Sequence, residues 1–230
     1  MSELGVIFDM DGVLVDSYRA HLLSWQQSAR HFGLEMTEPQ FAATFGQTTP
    51  EIIRHWWPGA VDEEGAAKWD RIKEADYRDI LRADFPAMDG AAELLRALHA
   101  AGFRLAIGSS GPPENVALVR ELLDGAGHFD ATVDARQVTH GKPHPEVFLT
   151  AARKLALAPR DCAVVEDAPA GVEAARRAGM AAIALTGTAA REKLAERAHR
   201  VVDSLRELTP DAIAEVIAVA RAGGAVEAGR

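Results

Sequence analysis

Cysteine and long apolar runs are nearly absent from this sequence. Cys162 is the only cysteine in 230 residues, which excludes an intramolecular disulfide and any metal site built from several cysteines. A single thiol is typical of a protein from a reducing compartment. No apolar run reaches the length of about 18 residues that a transmembrane helix needs, and Asp9 and Asp11 make the opening segment too acidic for a signal peptide. We therefore expect a soluble cytoplasmic protein.

Positive charge is also scarce. Lys and Arg number 25 against 34 Asp and Glu, which gives a formal net charge of −9 at pH 7. This balance disfavours a broad basic face of the kind that binds nucleic acid or anionic membranes, but it permits a local site for a small anion. We expect neither nucleic acid nor membrane as a partner.

Short apolar segments recur along the chain, and helical patterns separate them. The predicted strands are residues 4–8, 104–108, 162–165, 181–185 and 200–202, with a further candidate at 131–133. Apolar runs without alternation are typical of strands covered on both faces, as in a parallel sheet. Helix alternating with strand predicts an α/β fold with a doubly wound parallel sheet.

One segment departs from this alternation. From Ser17 to about Asp84 only helical patterns occur, including an apolar stripe over residues 18–32 and helices at 50–57 and 66–83. We predict that residues 17–85 form an all-helical cap inserted into an α/β core of residues 1–16 and 86–230. A last amphipathic helix is predicted at 212–222, with residues 223–230 frayed.

Four carboxylates stand where two predicted strands end. Asp9 and Asp11 follow the first strand, and Glu166 and Asp167 follow the strand at 162–165. The carboxyl ends of parallel strands line the ligand crevice of an open sheet. Carboxylates crowded there repel one another unless a cation compensates, and a hard cation such as Mg²⁺ prefers oxygen ligands. Taken singly, each of these residues is equally typical of a helix cap or a turn.

A hydroxyl pair and a lysine suit the same crevice. Ser109 and Ser110 follow the strand that ends at Gly108, and they offer hydroxyl and backbone N–H groups to a phosphate oxygen. Lys142 lies in a Gly-Lys-Pro turn that would direct its ammonium group into the crevice. The alternatives are a turn or cap residue for Ser109 and a solvated surface charge for Lys142.

Four motifs, in order, resemble those of the haloacid dehalogenase superfamily. They are D-x-D-G-V-L-V-D-S at residues 9–17, Ser109 after a strand, Gly-Lys-Pro-x-Pro at 141–145, and Glu-Asp-x-x-x-Gly at 166–171. The set is most similar to the phosphatase and β-phosphoglucomutase-like branch, in which a helical cap follows the first motif. The resemblance covers nearly the whole chain and implies a Rossmann-like core.

The resemblance also implies a role for each of these residues. Asp9 is the expected nucleophile that forms an aspartyl-phosphate, and Asp11 the general acid and then base. Ser109 and Lys142 are expected to bind the phosphoryl oxygens. Magnesium is expected on Asp167, on the Asp9 carboxylate and on the backbone carbonyl of Asp11, with Glu166 close by. The dehalogenases of the superfamily lack the second aspartate, so Asp11 favours phosphate esters, whose alkoxide leaving group needs a proton.

The cap carries weaker signals. His21, Trp25 and Lys73 match positions that β-phosphoglucomutases use near the substrate. Trp25 belongs to the apolar stripe, which favours core packing; for His21 both interpretations stand, and Lys73 is also placed to extend to solvent. The loop at residues 46–50 has no arginine where mutases hold the second phosphate, although Arg54 lies one turn further on. This absence favours a hydrolase.

These observations predict a Mg²⁺-dependent phosphatase of a small phosphorylated metabolite, expected to be a sugar phosphate. The alternatives are a phosphosugar mutase and a non-catalytic binding protein; a phospho-accepting receiver domain is disfavoured because receivers are shorter and lack a cap. We expect a monomer or a weak dimer. Among the histidines, His144 is expected to be a loop residue, and no pair shows metal-site spacing with a third ligand.

Overall fold

The computed structural model describes residues 3–124 and 127–227. The strands are β1 (Gly5–Phe8), β2 (Arg104–Gly108), β3 (Ala131–Val133), β4 (Cys162–Glu166), β5 (Ala181–Leu185) and β6 (Arg200–Val202). The helices are α1 (Tyr18–His31), α2 (Glu38–Thr44), α3 (Thr49–Trp56), α4 (Glu63–Ala83), α5 (Ala91–Ala100), α6 (Pro113–Leu123), α7 (Glu146–Lys154), α8 (Pro169–Arg177), α9 (Arg191–Ala195) and α10 (Pro210–Glu227). The chain divides into two compact units, Ser17–Pro86 and the remainder.

The larger unit is built on one parallel sheet of six strands in the order β3-β2-β1-β4-β5-β6. β1 lies at the centre and pairs in register with β2 on one side and β4 on the other, Phe8 facing both Ile107 and Val165. The strand order reverses between β1 and β4, and in open α/β sheets this switch point is where ligands bind. The predicted doubly wound α/β fold is confirmed.

Both faces of the sheet are covered, which explains the apolar strand sequences. Alternate strand residues such as Ile7 and Val164 pack in one cluster with side chains of α7 and α8. The residues between them, such as Val6 and Val165, are also fully buried. Strands buried on both sides lose the polar-apolar alternation of a half-exposed sheet. The candidate strand at residues 131–133 is present as β3.

The smaller unit is entirely helical within the residues described. Trp25, Phe41, Ile52 and Trp69 form its core, and Trp56 and Trp57 pack against them. Helix α2, which has no counterpart among the predicted helices, begins at a capping box between Thr37 and Gln40. α4 begins earlier than predicted because Asp62 caps it, accepting a hydrogen bond from the Gly65 amide at 2.8 Å.

The C-terminal prediction was partly wrong. The last helix begins at Pro210 and continues to Glu227, so residues 223–227 are helical rather than frayed. Residues 228–230 lie outside the described part of the chain. Across the described residues, no helix is both long and apolar enough to cross a membrane.

Candidate active site

The site lies where β1 and β4 end side by side. The Asp9 amide donates to the carbonyl of Val165 at 2.9 Å, which continues the β1–β4 pairing by one residue. Glu166 is the last residue of β4, and Asp167 follows it. The backbone then turns sharply after Asp9, with the Leu14 amide donating to the Met10 carbonyl at 2.9 Å. Strand pairing therefore brings acidic residues from distant parts of the sequence to one edge of the sheet.

Lys142 joins two of these carboxylates. Its Nζ donates to Oδ1 of Asp9 at 2.5 Å and to Oε1 of Glu166 at 2.6 Å. The lysine side chain is only 12% exposed and lies over the ring of Phe148, 5.0 Å from its centroid. The alternative prediction for Lys142, a solvated surface charge, is therefore wrong. A buried ion pair of this kind is costly to break, because the remaining charge is left uncompensated.

Glu166 is held by backbone as well as by Lys142. Its Oε2 accepts from the amides of Asp167 and Ala168, both at 2.8 Å. The side chain fits only because residue 171 is glycine: a Cβ at Gly171 would lie 1.7 Å from Oε1 of Glu166. The Glu-Asp-x-x-x-Gly motif therefore needs glycine at its last position, because a side chain there would overlap the carboxylate of the glutamate five residues earlier.

Asp167 is placed by a second glycine and by a threonine. Gly12 has φ +76°, and a Cβ there would lie 2.0 Å from Oδ2 of Asp167, so the carboxylate packs directly on the turn after β1. The hydroxyl of Thr188 donates to the same oxygen. Sequence reasoning missed Thr188. It follows β5, the strand beside β4, so the crevice rule that selected the other carboxylates also points to this residue.

The electrostatics of the cluster are dominated by burial. Burial raises the pKa of Asp9 to about 7; Lys142 opposes this rise, and Glu166 and Asp11 add to it. Burial, with the charges of Glu166 and Asp9, raises the pKa of Asp167 to about 8. Burial lowers the pKa of Lys142, but the charges of Asp9 and Glu166 raise it by more, so the lysine stays protonated. A single ammonium group thus compensates three neighbouring carboxylates, two of which it contacts directly.

This donor set fits a hard divalent cation. One carboxylate oxygen from each of Asp9, Glu166 and Asp167 lies within 4.8 Å of the others. All three residues are buried, and when ionised they carry more negative charge than Lys142 neutralises. A cation with oxygen ligands offsets the repulsion that, after burial, adds to the raised pKa values of Asp9 and Asp167.

The remaining core candidates lie at the same edge of the sheet. Asp11 is partly buried beside the turn and contributes to the raised pKa of Asp9. Ser109 is buried, its amide donates to the Val133 carbonyl at 3.0 Å, and its Oγ accepts from the Gly111 amide at 2.9 Å. Ser110 is exposed. The structure therefore joins Asp9, Lys142 and Glu166 by direct contact and places the two serines at the end of the adjacent strand β2.

The site residues predicted for the cap all lie in the helical unit, Ser17–Pro86. Trp25 is in the core, as the packing interpretation predicted. Lys73 does not extend to solvent: it is buried, with Nζ 2.7 Å from Oε1 of Glu74 and 3.1 Å from Nδ1 of His21. The His21 ring stacks on Tyr77 at a centroid distance of 4.1 Å. Arg54 is exposed on α3.

One expectation about histidines was wrong. His140 and His144 do have a third ligand-type side chain nearby, that of Glu146. The sequence signal for this group is the H-x-x-x-H-x-E spacing of residues 140–146.

A doubly wound sheet with buried carboxylates and a lysine at its switch point defines the class: a catalytic α/β domain with an inserted helical unit. The chain belongs to the haloacid dehalogenase-like hydrolases, whose family model matches residues 4–179. The recognition made from the four motifs is confirmed.

Within this family, the chain is similar to a sugar-alcohol phosphatase and to beta-phosphoglucomutases. Hexitol phosphatase A of Escherichia coli is 36% identical over 205 residues, which cover 89% of this chain and 93% of that protein. Beta-phosphoglucomutase of Bacillus subtilis is 32% identical, over 77% of this chain and 81% of that protein. The crystal structure of beta-phosphoglucomutase from Clostridium difficile matches with a TM-score of 0.81 at 26% identity, over 95% of this chain and 98% of that one. The predicted enzyme class, a phosphoric monoester hydrolase, is confirmed by the family and the related phosphatase.

Proposed function

We propose that this enzyme hydrolyses a small phosphorylated sugar or sugar alcohol, using Mg²⁺ and an aspartyl-phosphate formed on Asp9. The observation that carries the proposal is the buried group of Asp9, Glu166 and Asp167 around Lys142 at the switch point of the sheet. The substrate class is supported by the hexitol phosphatase, and a sugar phosphate is also the substrate type of the related mutases.

In the first step, the Asp9 carboxylate attacks phosphorus as the bond from phosphorus to the ester oxygen breaks. Asp11 gives its proton to the leaving oxygen, so that an alcohol rather than an alkoxide departs. In the second step, Asp11 takes a proton from water, and the water oxygen attacks phosphorus as the bond from phosphorus to the Asp9 oxygen breaks; inorganic phosphate leaves and the Asp9 carboxylate is restored. Two residues thus perform both half-reactions.

Other residues position the phosphoryl group and balance its charge. Lys142 already donates to Asp9 Oδ1, and we assign it to an oxygen of the transferring group as well. The Ser109 hydroxyl, whose oxygen accepts from Gly111, has its hydrogen available to donate to a second phosphoryl oxygen. Mg²⁺ held by Asp9, Asp167 and the Asp11 carbonyl, with Glu166 beside it, would neutralise the charge that phosphoryl transfer develops.

We propose that the helical unit 17–86 acts as the cap that sets substrate preference. Its buried Lys73, beside His21 and Glu74, is the residue to test. Lys73→Met is expected to change the ranking and KM of esters more than the rate with the best small ester. Arg54→Ala is assayed with the same esters. Arg54 is exposed on α3 and is the alternative anchor for a second phosphate.

A panel of phosphate esters tests the proposed function. The panel contains hexitol phosphates, hexose 1- and 6-phosphates including β-glucose 1-phosphate, and non-sugar esters, each assayed with Mg²⁺ and with a chelator. Mg²⁺-dependent phosphate release, greatest for the sugar and sugar-alcohol esters, is the expected result. Isomerised sugar phosphate with little free phosphate would instead establish a mutase, which the similarity to beta-phosphoglucomutase makes the second candidate.

Substitution of the two aspartates tests the mechanism. Asp9→Asn and Asp11→Asn are each expected to lower turnover by at least ~100-fold, the scale of losing a nucleophile or an acid-base group. Asp211→Asn is the control, because Asp211 is an exposed aspartate on α10, outside the four motifs. Near-normal turnover in either of the first two variants, with folding verified by circular dichroism, would reject the mechanism.

A further inference from the structure

Three metal-ligating side chains lie together on the segment that carries Lys142. They are His140, His144 and Glu146, and one ligand atom from each lies within 4.8 Å of the other two. None of them is a member of the acidic cluster around Asp9. The proposed function gives them no role, so their arrangement needs its own explanation.

The distances suit a transition-metal ion. Nδ1 of His140 lies 2.9 Å from Oε2 of Glu146, and Nδ1 of His144 lies 3.8 Å from the same oxygen. Ligands at about 2.0–2.1 Å from a tetrahedral Zn²⁺ are about 3.3–3.4 Å apart. The two observed separations lie on either side of that value. The imidazole rings are also close, at 4.5 Å between centroids.

The carboxylate is fixed in place by the backbone. Glu146 is the first residue of α7; its Oε1 accepts from the Thr139 amide at 3.1 Å and its Oε2 from the His140 amide at 2.9 Å. These bonds hold the acidic ligand before any ion binds, which lowers the ordering cost of binding. The histidine side chains are half exposed or more, at 62% and 50%, so water can reach the remaining coordination position.

We propose that His140, His144 and Glu146 bind a divalent transition-metal ion, with Zn²⁺ as the representative, and that water completes the coordination. Two imidazole nitrogens and one carboxylate favour such an ion over Mg²⁺ or Ca²⁺, which prefer oxygen ligands throughout. On binding, the ion takes the place of a proton between His140 Nδ1 and Glu146 Oε2, and that proton passes to solvent. The bound ion links His140 to His144 and Glu146, and so bridges the turn at residues 141–143.

Calorimetric titration of the full chain with ZnSO₄ tests this site. The titration is performed in the Asp9→Asn/Asp167→Asn background with excess MgCl₂, so that zinc binding at the acidic cluster is suppressed. One equivalent of Zn²⁺ is expected to bind. His144→Asn is expected to weaken this binding by at least ~10-fold, since even residues behind a metal ligand affect affinity on that scale. His140→Asn is expected to do the same.

The controls separate ligation from a loss of folding. His144 is the main variant because its side chain is exposed. The hydrogen bond from its backbone amide to the Gly141 carbonyl does not involve the imidazole ring. His55→Asn changes an exposed histidine in the helical unit and is expected to leave zinc affinity unchanged. Equal affinity in His144→Asn and the parent, or no zinc binding by the parent, would overturn the proposal. Melting in EDTA establishes that each variant is folded.

Discussion

At the scale of single residues, Gly171 shows how a missing side chain positions a charged one. Replacing it with alanine would put a Cβ 1.7 Å from Oε1 of Glu166, whose carboxylate is held by Lys142 and by two backbone amides. Because Glu166 cannot move without breaking these bonds, we expect Gly171→Ala to lower the free energy of unfolding by about 1–3 kcal/mol. Phosphate release should fall as well. Urea denaturation and the ester assay measure the two effects.

Gly223→Ala is the matched control for this substitution. Gly223 also lies in a helix, α10, but nothing lies within 4 Å of a Cβ built on it. Alanine is favoured over glycine inside a helix by up to about 1 kcal/mol, so this variant should be as stable as the parent or more stable. Equal stabilities of Gly171→Ala and Gly223→Ala would show that the Glu166 side chain is not confined as described.

At the scale of secondary-structure elements, the Asp124 side chain holds residues 128 and 129, which precede β3, at the end of α6. Its Oδ1 accepts from the amide and the ring of His128, both at 2.7 Å, and its Oδ2 from the Phe129 amide at 2.9 Å. Burial raises the pKa of Asp124, but these hydrogen bonds and the His128 charge outweigh burial and hold it below its ordinary value of 3.8. A lowered pKa contributes stability above the unfolded-state pKa, and this contribution is lost as pH falls through the folded-state pKa.

Asp124→Asn should therefore destabilise the protein in a pH-dependent way. We expect a loss of about 1.5–3 kcal/mol at neutral pH, the scale of hydrogen bonds to a charged group. The difference from the parent should shrink as pH falls below about 4. Urea denaturation over this range measures it, with Glu121→Gln, an exposed carboxylate on the same helix, as the control. A difference that stays constant with pH would contradict the assigned role of the carboxylate.

At the scale of the whole molecule, a bound cation should stabilise the fold. Asp9, Glu166 and Asp167 are contributed by two strand ends far apart in sequence, and their mutual repulsion opposes folding. A ligand that binds only the folded state raises its stability by mass action. We expect millimolar Mg²⁺ to raise the melting temperature, and Asp167→Asn to reduce that rise. An unchanged melting temperature, compared with NaCl at equal ionic strength, would exclude this cluster as the magnesium site.

The sequence by itself determined the class of fold and the residue types of the site. Apolar strands without alternation require a sheet covered on both faces, and acidic residues at the ends of two such strands converge by strand pairing alone. These signals are residue types and their positions at the ends of predicted strands. Asp9, Asp11, Glu166 and Asp167 could therefore be selected without a structure.

Tertiary structure alone decided which groups touch. The bonds of Lys142 to Asp9 and Glu166 join residues 133 and 24 positions apart, and the contact of Thr188 with Asp167 joins residues 21 apart. The burial of Lys73 likewise depends on how the helices of residues 17–86 pack. Such contacts leave no periodic trace in the sequence, because they are set by the packing of elements and not by local preference.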